Sequence, residues 1–560
     1  MNDNITIYCK NTNNKIDIPY GTTLQEILSK CKEVSEINNS EEPFLGALVN
    51  NKVRDLSYRV HKPAIVEFFD YYTTYGRDMY VRSLFFLLSH AVDEVMTTNV
   101  SLRIKHSLSG GRFCTFENYD KPITDDLIDK LLKNMRSTVE KNLPIERLEM
   151  LTEEAMKEFQ EHNLTDKMEL FKSSNRIFSP IHKLGNSINF YFSYLVPSTG
   201  YLKTFGLEKY ETGMLLKLPS KKNIRTMPKT RPLPKLFSVY KYDKEWAENM
   251  GVPYVYNINQ MTSKRELQSS ILVAEAYQEK RIAAAADMIH SNPDIKMVLI
   301  SGPSSSGKTT TCRRLSVQLA VLGYNPVQIS VDDFFVERDE TPLDENGEKD
   351  FESLYAIDLP LFNRTLNKLV EGEEVEIPTF DFAKGSKIWN GKKLKLRENS
   401  ILVIEGIHCL NPELTAQIAD NIKFKIFVSA LTSISIDREN PVSTADNRLL
   451  RRLVRDYNYR GYSAIDTLRR WSSVRRGEEK NIFPFQENAD YMINTSLIYE
   501  IGVLRPYAMK ILLEVPQTAE EYAYAIRLMV LLSFFNTIPE SALPGNSILR
   551  EFVGGSKFSY

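Results

Sequence analysis

The chain has 560 residues, and its 71 lysines and arginines nearly cancel 72 aspartates and glutamates, for a formal net charge of −1 at pH 7. That length suggests three or four domains with ample core. The charge balance excludes a global field steering the protein onto nucleic acid or an anionic membrane, and leaves room only for a local basic patch. Five scattered cysteines with no C-x-x-C pair (Cys9, Cys31, Cys114, Cys312, Cys409) point to a reduced, intracellular protein. The start, Met-Asn-Asp-Asn-Ile-Thr, lacks the basic and apolar regions of a signal peptide, and the longest apolar stretch, Leu528 to Phe535, is too short to span a bilayer. A soluble, cytoplasmic protein without a membrane partner is expected.

From the front, Ile5-Thr-Ile-Tyr-Cys, a turn at Asn11 to Asn14, and Lys15-Ile-Asp-Ile-Pro read as a β-hairpin. Gly21-Thr22-Thr23 caps a short helix, Leu24 to Cys31, and strand-like runs follow at Phe44 to Val49 and Ala64 to Phe69. This ββαββ order, with Pro19-Tyr-Gly-Thr-Thr-Leu, Ala47-Leu-Val-Asn-Asn and Asp55-Leu-Ser, resembles the TGS domain, a ubiquitin-like β-grasp fold.

Beyond Tyr80 the pattern is mixed α/β, with helical apolar spacing in Arg82 to Val95 and two charged amphipathic helices within Ile123 to Gln160. Arg82-Ser-Leu-Phe-Phe-Leu-Leu-Ser-His-Ala-Val and Leu143-Pro-Ile-Glu-Arg-Leu-Glu followed by Thr152-Glu-Glu-Ala resemble the editing domain of threonyl-tRNA synthetases. That resemblance implies an H-x-x-x-H pair on the first helix, but here Arg82 and Phe86 hold those positions, so no hydrolytic site is expected. His90 and His106 read as structural. Lys221 to Pro234 is a basic, proline-containing connector for which a solvated linker is the commoner reading than an RNA contact. A long helix, Thr262 to His290, follows.

Gly302-Pro303-Ser304-Ser305-Ser306-Gly307-Lys308-Thr309 fits G-x-x-x-x-G-K-[ST]. In such a loop backbone amides cradle phosphates, the lysine reaches the terminal phosphates and the hydroxyl holds Mg²⁺. An apolar run, Met297 to Ser301, enters it, and a helix from Thr310 to Leu322 leaves it, placing a positive dipole end on the anion. Gly302 to Thr310 is therefore expected to bind a nucleoside triphosphate.

Strand-like runs then alternate with helices: Val327 to Val331, Ile401 to Glu405, Lys423 to Val428 and Tyr491 to Asn494. The pattern predicts a parallel sheet with ligands at the carboxyl ends of its strands. Asp332 and Asp333 close the first run and Glu405 the second; one acid is suited to taking a hydroxyl proton and another to holding Mg²⁺ or its water. Arg448, Arg451, Arg452 and Arg455 fall at i, i+3, i+4 and i+7, one basic face of a helix, and with Arg460 they predict a lid of five guanidiniums over phosphate oxygens.

Gly302 to Thr309, Val331-Asp-Asp-Phe-Phe335, Ile404-Glu-Gly-Ile-His408 and Arg451-Arg-Leu-Val-Arg455-Asp…Arg460-Gly resemble the uridine kinase/phosphoribulokinase family. The resemblance implies Asp332 as base on the sugar hydroxyl, Glu405 and Thr309 at Mg²⁺, and Lys308, Arg455 and Arg460 on the phosphates. It also implies Arg452 and Glu352 on the ribose side. In that family a Tyr and a His near Thr379-Phe-Asp-Phe-Ala-Lys-Gly-Ser read a pyrimidine; here Phe380 and Gly385 stand there, which removes donors and is expected to open space. Tyr462 and Phe380 are left to stack on a base, with Arg470 and Lys384 as other candidates for its readout.

The expected organisation is a β-grasp domain at 1–72, a synthetase-like α+β domain at 73–220, a connector and long helix at 221–290, and an α/β P-loop kinase domain with a helical extension at 291–560. The expected activity is ATP- and Mg²⁺-dependent phosphorylation of a ribonucleoside's primary hydroxyl, by a homo-oligomer whose partner is a small nucleoside and for which RNA is not expected. The alternative is a regulatory nucleotide- or RNA-binding protein. A GTPase is disfavoured because Asn367-Lys-Leu-Val370 lacks the aspartate of N-K-x-D.

Overall fold

The computed structural model describes residues 4–34, 42–96, 99–174, 176–263, 266–344, 347–381 and 384–559. Its first sheet has the order Asn14–Pro19, Asn4–Cys9, Ala64–Phe69, Gly46–Val49, Lys52–Asp55. Only the central pair, Ile7 beside Ala64, is parallel. The helix Leu24–Val34 places Leu24, Ile27, Leu28 and Cys31 at i, i+3, i+4 and i+7, and all four are buried with Ile7, Cys9, Ile18, Val66 and Phe68 of the sheet. The strand Lys52–Asp55, too polar to stand out in the sequence, is an edge strand of this sheet.

The helix Thr74–Val95, capped by the Thr73 hydroxyl, runs through the core of the middle region. Around it lie a four-stranded antiparallel sheet (Gly206–Tyr210, Gly213–Lys217, Gly111–Glu117, Ser101–Leu108) and a three-stranded one (Glu146–Leu151, Phe178–Leu184, Ser187–Asn189). Packing crosses the divisions expected from sequence. Phe159, Phe171 and Phe190 share one core with Leu449, Leu504 and Phe534 from the C-terminal helices. A buried polar knot reinforces that seam: Lys167, with no exposed side-chain surface, lies 3.5, 3.7 and 3.9 Å from Asp166, Asp437 and Glu439.

The C-terminal half is built on a five-stranded, all-parallel sheet in the order Asn325–Ser330, Ser400–Glu405, Met297–Ser301, Lys423–Ser429, Tyr491–Asn494. Its central strands, Met297–Ser301 and Ser400–Glu405, read as nearly continuous apolar runs because both faces are covered. On one face Leu267–His290 and Lys308–Val321 bury Ile282, Ile289, Leu315 and Leu319. On the other, Pro234–Asn249 and Leu359–Val370 bury Phe237, Tyr240, Phe362 and Leu366. The helix Pro234–Asn249, begun by a proline at its first turn, was not legible in the connector. The long helix is divided into Val255–Ser263 and Leu267–His290, with Lys264 and Arg265 outside the described residues. No described helix is long and apolar enough to cross a membrane.

Candidate active site

The loop between Met297–Ser301 and the helix Lys308–Val321 has two positions that only glycine fits. A Cβ on Gly302 would lie 2.0 Å from the Val428 carbonyl oxygen; one on Gly307, at φ +81°, would lie 2.3 Å from Ile548 Cδ1. The loop carbonyls are held from outside: Thr495 Oγ1 donates to Ser306 O at 2.6 Å, Arg451 to Ser305 O at 3.4 Å and Arg448 to Ser304 O at 3.1 Å. The first-turn amides of the helix beginning at Lys308 have no intrahelical acceptor, and with the helix dipole they form a ready anion site.

Acids converge on that loop from neighbouring strands. Glu405, paired in register with Ile300, accepts from Thr309 Oγ1 at 3.3 Å and from Ser330 Oγ at 3.5 Å. Burial pushes its carboxyl up to about 7, against the pull of Lys308 and with further push from Asp332 and Glu551. Asp332 sits not at a strand end but in the 3₁₀ turn Val331–Phe334, its amide donating to Ser330 Oγ at 3.3 Å. The residue is exposed to solvent, yet desolvation by the surrounding protein raises its pKa, opposed by Lys308, Arg460 and Arg455. Glu352 is seated where Gly477 leaves room, a Cβ there falling 2.4 Å from the Glu352 Cβ. Burial, then Glu478, raises it to about 7, while Arg452 and Lys308 oppose. Lys308, Asp332, Glu352, Glu405, Arg452, Arg455 and Arg460 thus share one electrostatic neighbourhood.

The five-arginine lid divides into two sets. Arg448 and Arg451 are buried in ion pairs with Glu478 and Glu500 and brace the loop carbonyls, so they do not form part of a lid. Both face inward because the helix Thr444–Tyr459 packs on Glu500–Leu513 and the C-terminal turn Arg550–Val553. Arg452, Arg455 and Arg460 instead gather on buried Asp456 at 3.1, 2.8 and 3.7 Å, and Arg452 also donates to Ser304 Oγ at 2.8 Å.

On the side assigned to a base, Phe380 is buried against Phe335, ring centroids 5.5 Å apart, and its amide donates to Asp333 at 3.4 Å. Tyr462 is half-buried with the Arg470 guanidinium 4.4 Å from its ring centre. The space expected at Gly385 is not open: Arg338 lies across it, its Nε 2.5 Å from where a Cβ would be, and the Arg338 amide donates to Gly385 O at 2.8 Å. The neighbouring Phe382 and Ala383 lie outside the described residues.

Sequence reasoning missed Glu478, Glu500, Thr495, Arg338 and Glu551. Glu551 accepts from Thr310 Oγ1 at 2.5 Å. Each is brought in from a distant segment, and no local motif marks it. Among the described residues no cluster of three or more His, Cys, Asp or Glu could hold a metal by itself.

In the front half, Phe86 is a fully buried core residue, and Arg82 pairs with Asp78 at 3.0 Å beneath the Phe192 ring. His106 stacks on Tyr240 at 3.8 Å. His90 Nδ1 lies 2.9 Å from Ser187 Oγ, but that hydroxyl donates to Asp93 at 2.6 Å. The order is His–Ser–Asp, with the serine proton committed to the carboxylate, so His90 is not placed to activate Ser187 as a nucleophile.

Residues 297–498 match the model of a family described as Phosphoribulokinase / Uridine kinase family. The uridine kinase of Staphylococcus aureus (strain JH9) is 28% identical over 195 residues, covering 35% of this chain and 84% of that protein; the uridine kinase of strain Newman gives the same figures. Among solved structures, a possible uridine kinase from Bacillus stearothermophilus is 18% identical with a TM-score of 0.27, covering 38% of this chain and 98% of that one. A D-glycerate 3-kinase from Cryptococcus neoformans var. grubii is 13% identical with a TM-score of 0.28, covering 38% and 89%.

Proposed function

We propose, from the membership of residues 297–498 in the phosphoribulokinase/uridine kinase family, that the protein is an ATP-dependent kinase phosphorylating the primary hydroxyl of a ribonucleoside. The observation that carries this reading is the convergence of Asp332, Glu405 and Lys308 around one glycine-cornered loop, with Arg455 and Arg460 in the same field.

Asp332 is exposed to solvent and has a raised pKa, which suits a carboxylate that must accept a hydroxyl proton as the new O–P bond forms. Lys308 and the first-turn amides would hold the triphosphate, and Arg455 and Arg460 would take up the charge that spreads over the transferring phosphoryl group. Arg452 and Glu352 would bind the sugar. A donor set of one hydroxyl and one carboxylate, Thr309 and Glu405 at 3.3 Å, suits Mg²⁺, which draws most of its ligands from phosphates and water. The ion would supply charge neutralisation at the β and γ oxygens.

The test is phosphate transfer from γ-labelled ATP to a panel of nucleosides and small polyols, with and without Mg²⁺. Labelled nucleoside 5′-monophosphate supports the reading. Transfer only to non-nucleoside acceptors, or none at all, overturns it.

A further inference from the structure

Between the front half and the parallel sheet lies a cavity of about 2090 Å³. Small-molecule sites occupy roughly 300–1,000 Å³, so this space is at least about twice too large for one such ligand. Among the described residues its walls include none of the P-loop positions 302–310. They carry sixteen lysines and arginines against seven aspartates and glutamates, in a chain whose overall charge is −1. Seven of those cations, Arg448 and Arg527 among them, already pair with carboxylates; the positive excess that the balanced composition conceals rests on the other nine, including Lys105, Arg112, Lys229 and Arg231.

Several of these cations are held at a cost. Burial depresses Lys105, with Arg103 adding to the effect, and burial with Arg82 depresses Arg112. An anion in the cavity would relieve both. Two of its aromatic rings already carry a cation: Arg82 lies 3.9 Å from the centre of Phe192, and Arg147 5.1 Å from that of Tyr194. Tyr72 and Phe178, 44% and 55% exposed, line the same space. The connector contributes the exposed residues Lys221, paired with Glu479, and Lys229 and Arg231, held by the Arg231 amide donating to Ser109 Oγ.

We propose that this cavity binds a single-stranded segment of nucleic acid several nucleotides long. A groove of positive charge that tracks a phosphate backbone, interleaved with rings on which bases stack, is the chemistry of single-strand binding, whose sites span about 4–16 nucleotides. A mononucleotide leaves most of the volume unfilled, and an acidic peptide makes no use of the exposed rings.

The test is fluorescence anisotropy of labelled 12-nucleotide RNA and DNA strands on the full-length protein across a salt series. Binding should weaken with salt, and Lys229→Glu/Arg231→Glu, both at exposed positions, should lower the salt slope by about 1.4, from ~0.7 per phosphate contact. Phe178→Ala should cost about 5- to 150-fold for the strands and leave inorganic polyphosphate binding unchanged. Lys308→Ala should lose kinase turnover and keep strand binding, so this inference and the kinase reading fail separately. No strand binding, indifference to the charge reversal, or equal competition by a mononucleotide or a polyglutamate peptide would overturn the proposal.

Discussion

Glu478 Oε1 accepts a hydrogen bond from the Ser304 backbone amide at 3.1 Å. The same carboxylate, fully buried, pairs with Arg448 and lies 2.7 Å from Arg475. Since Arg448 also donates to the Ser304 carbonyl, one residue of the phosphate loop is clamped at both its polar backbone groups by a buried ion pair. The loop's shape is therefore set by side chains more than 140 residues away in the chain.

Removing one partner of such a pair leaves an uncompensated buried charge, whereas replacing both with apolar groups is often neutral. Glu478→Ala should cost about 3–5 kcal/mol of stability, read by chemical denaturation. The double substitution Glu478→Met/Arg448→Met should recover most of that loss. Equal losses in the single and double variants would show that the pair does not act as a unit.

Asp332→Asn keeps the size of the side chain but cannot accept the proton. Turnover should fall about 10²- to 10⁴-fold, with ATP affinity within a few-fold of normal by calorimetry. Asp333→Asn should have a much smaller effect, because Asp333 is engaged by the Phe380 amide at 3.4 Å.

Glu405 and Glu352 are both raised to about 7 from an ordinary 4.5. Between those values the folded protein holds protons that the unfolded chain has released, so stability is fully present below about 4.5 and falls as pH rises through 7. The melting temperature of the ligand-free protein should decline from pH 5 to pH 8. Glu405→Gln, which cannot ionise, should flatten that decline. A melting temperature rising over this range would contradict the environment assigned to these two acids.

Arg338 occupies the space beside Gly385, so base selectivity should depend on it. Arg338→Ala should raise kcat/KM for purine nucleosides relative to uridine and cytidine by about tenfold or more, the scale at which a change of pocket size discriminates. An unchanged ratio would place the base elsewhere.

The front half should show no hydrolytic activity. Mischarged tRNA incubated with the protein should deacylate at the background rate, because Arg82 and Phe86 are committed to an ion pair and to the core. Deacylation abolished by His90→Ala would overturn this.

Much of the site was legible in the sequence because local patterns encode local chemistry. The P-loop spacing put Gly302, Lys308 and Thr309 between a strand and a helix, and the apolar runs located Glu405 and the strand before Asp332, whose ends lie side by side once the sheet is parallel. What an arginine on a helix does is not local. Arg451 and Arg452 are adjacent in the chain, yet one is buried against Glu500 and the other points to Ser304 Oγ. Nor could Gly385 disclose that Arg338 fills the space it leaves. A balanced composition likewise concealed the basic cavity, because Arg112, Arg147 and Arg231 belong to separate segments and meet only across it. Sequence alone determines which groups the chain owns and which lie next to one another along a strand or turn. Burial and charge pairing depend on distances between remote segments, and those exist only once the tertiary packing has formed.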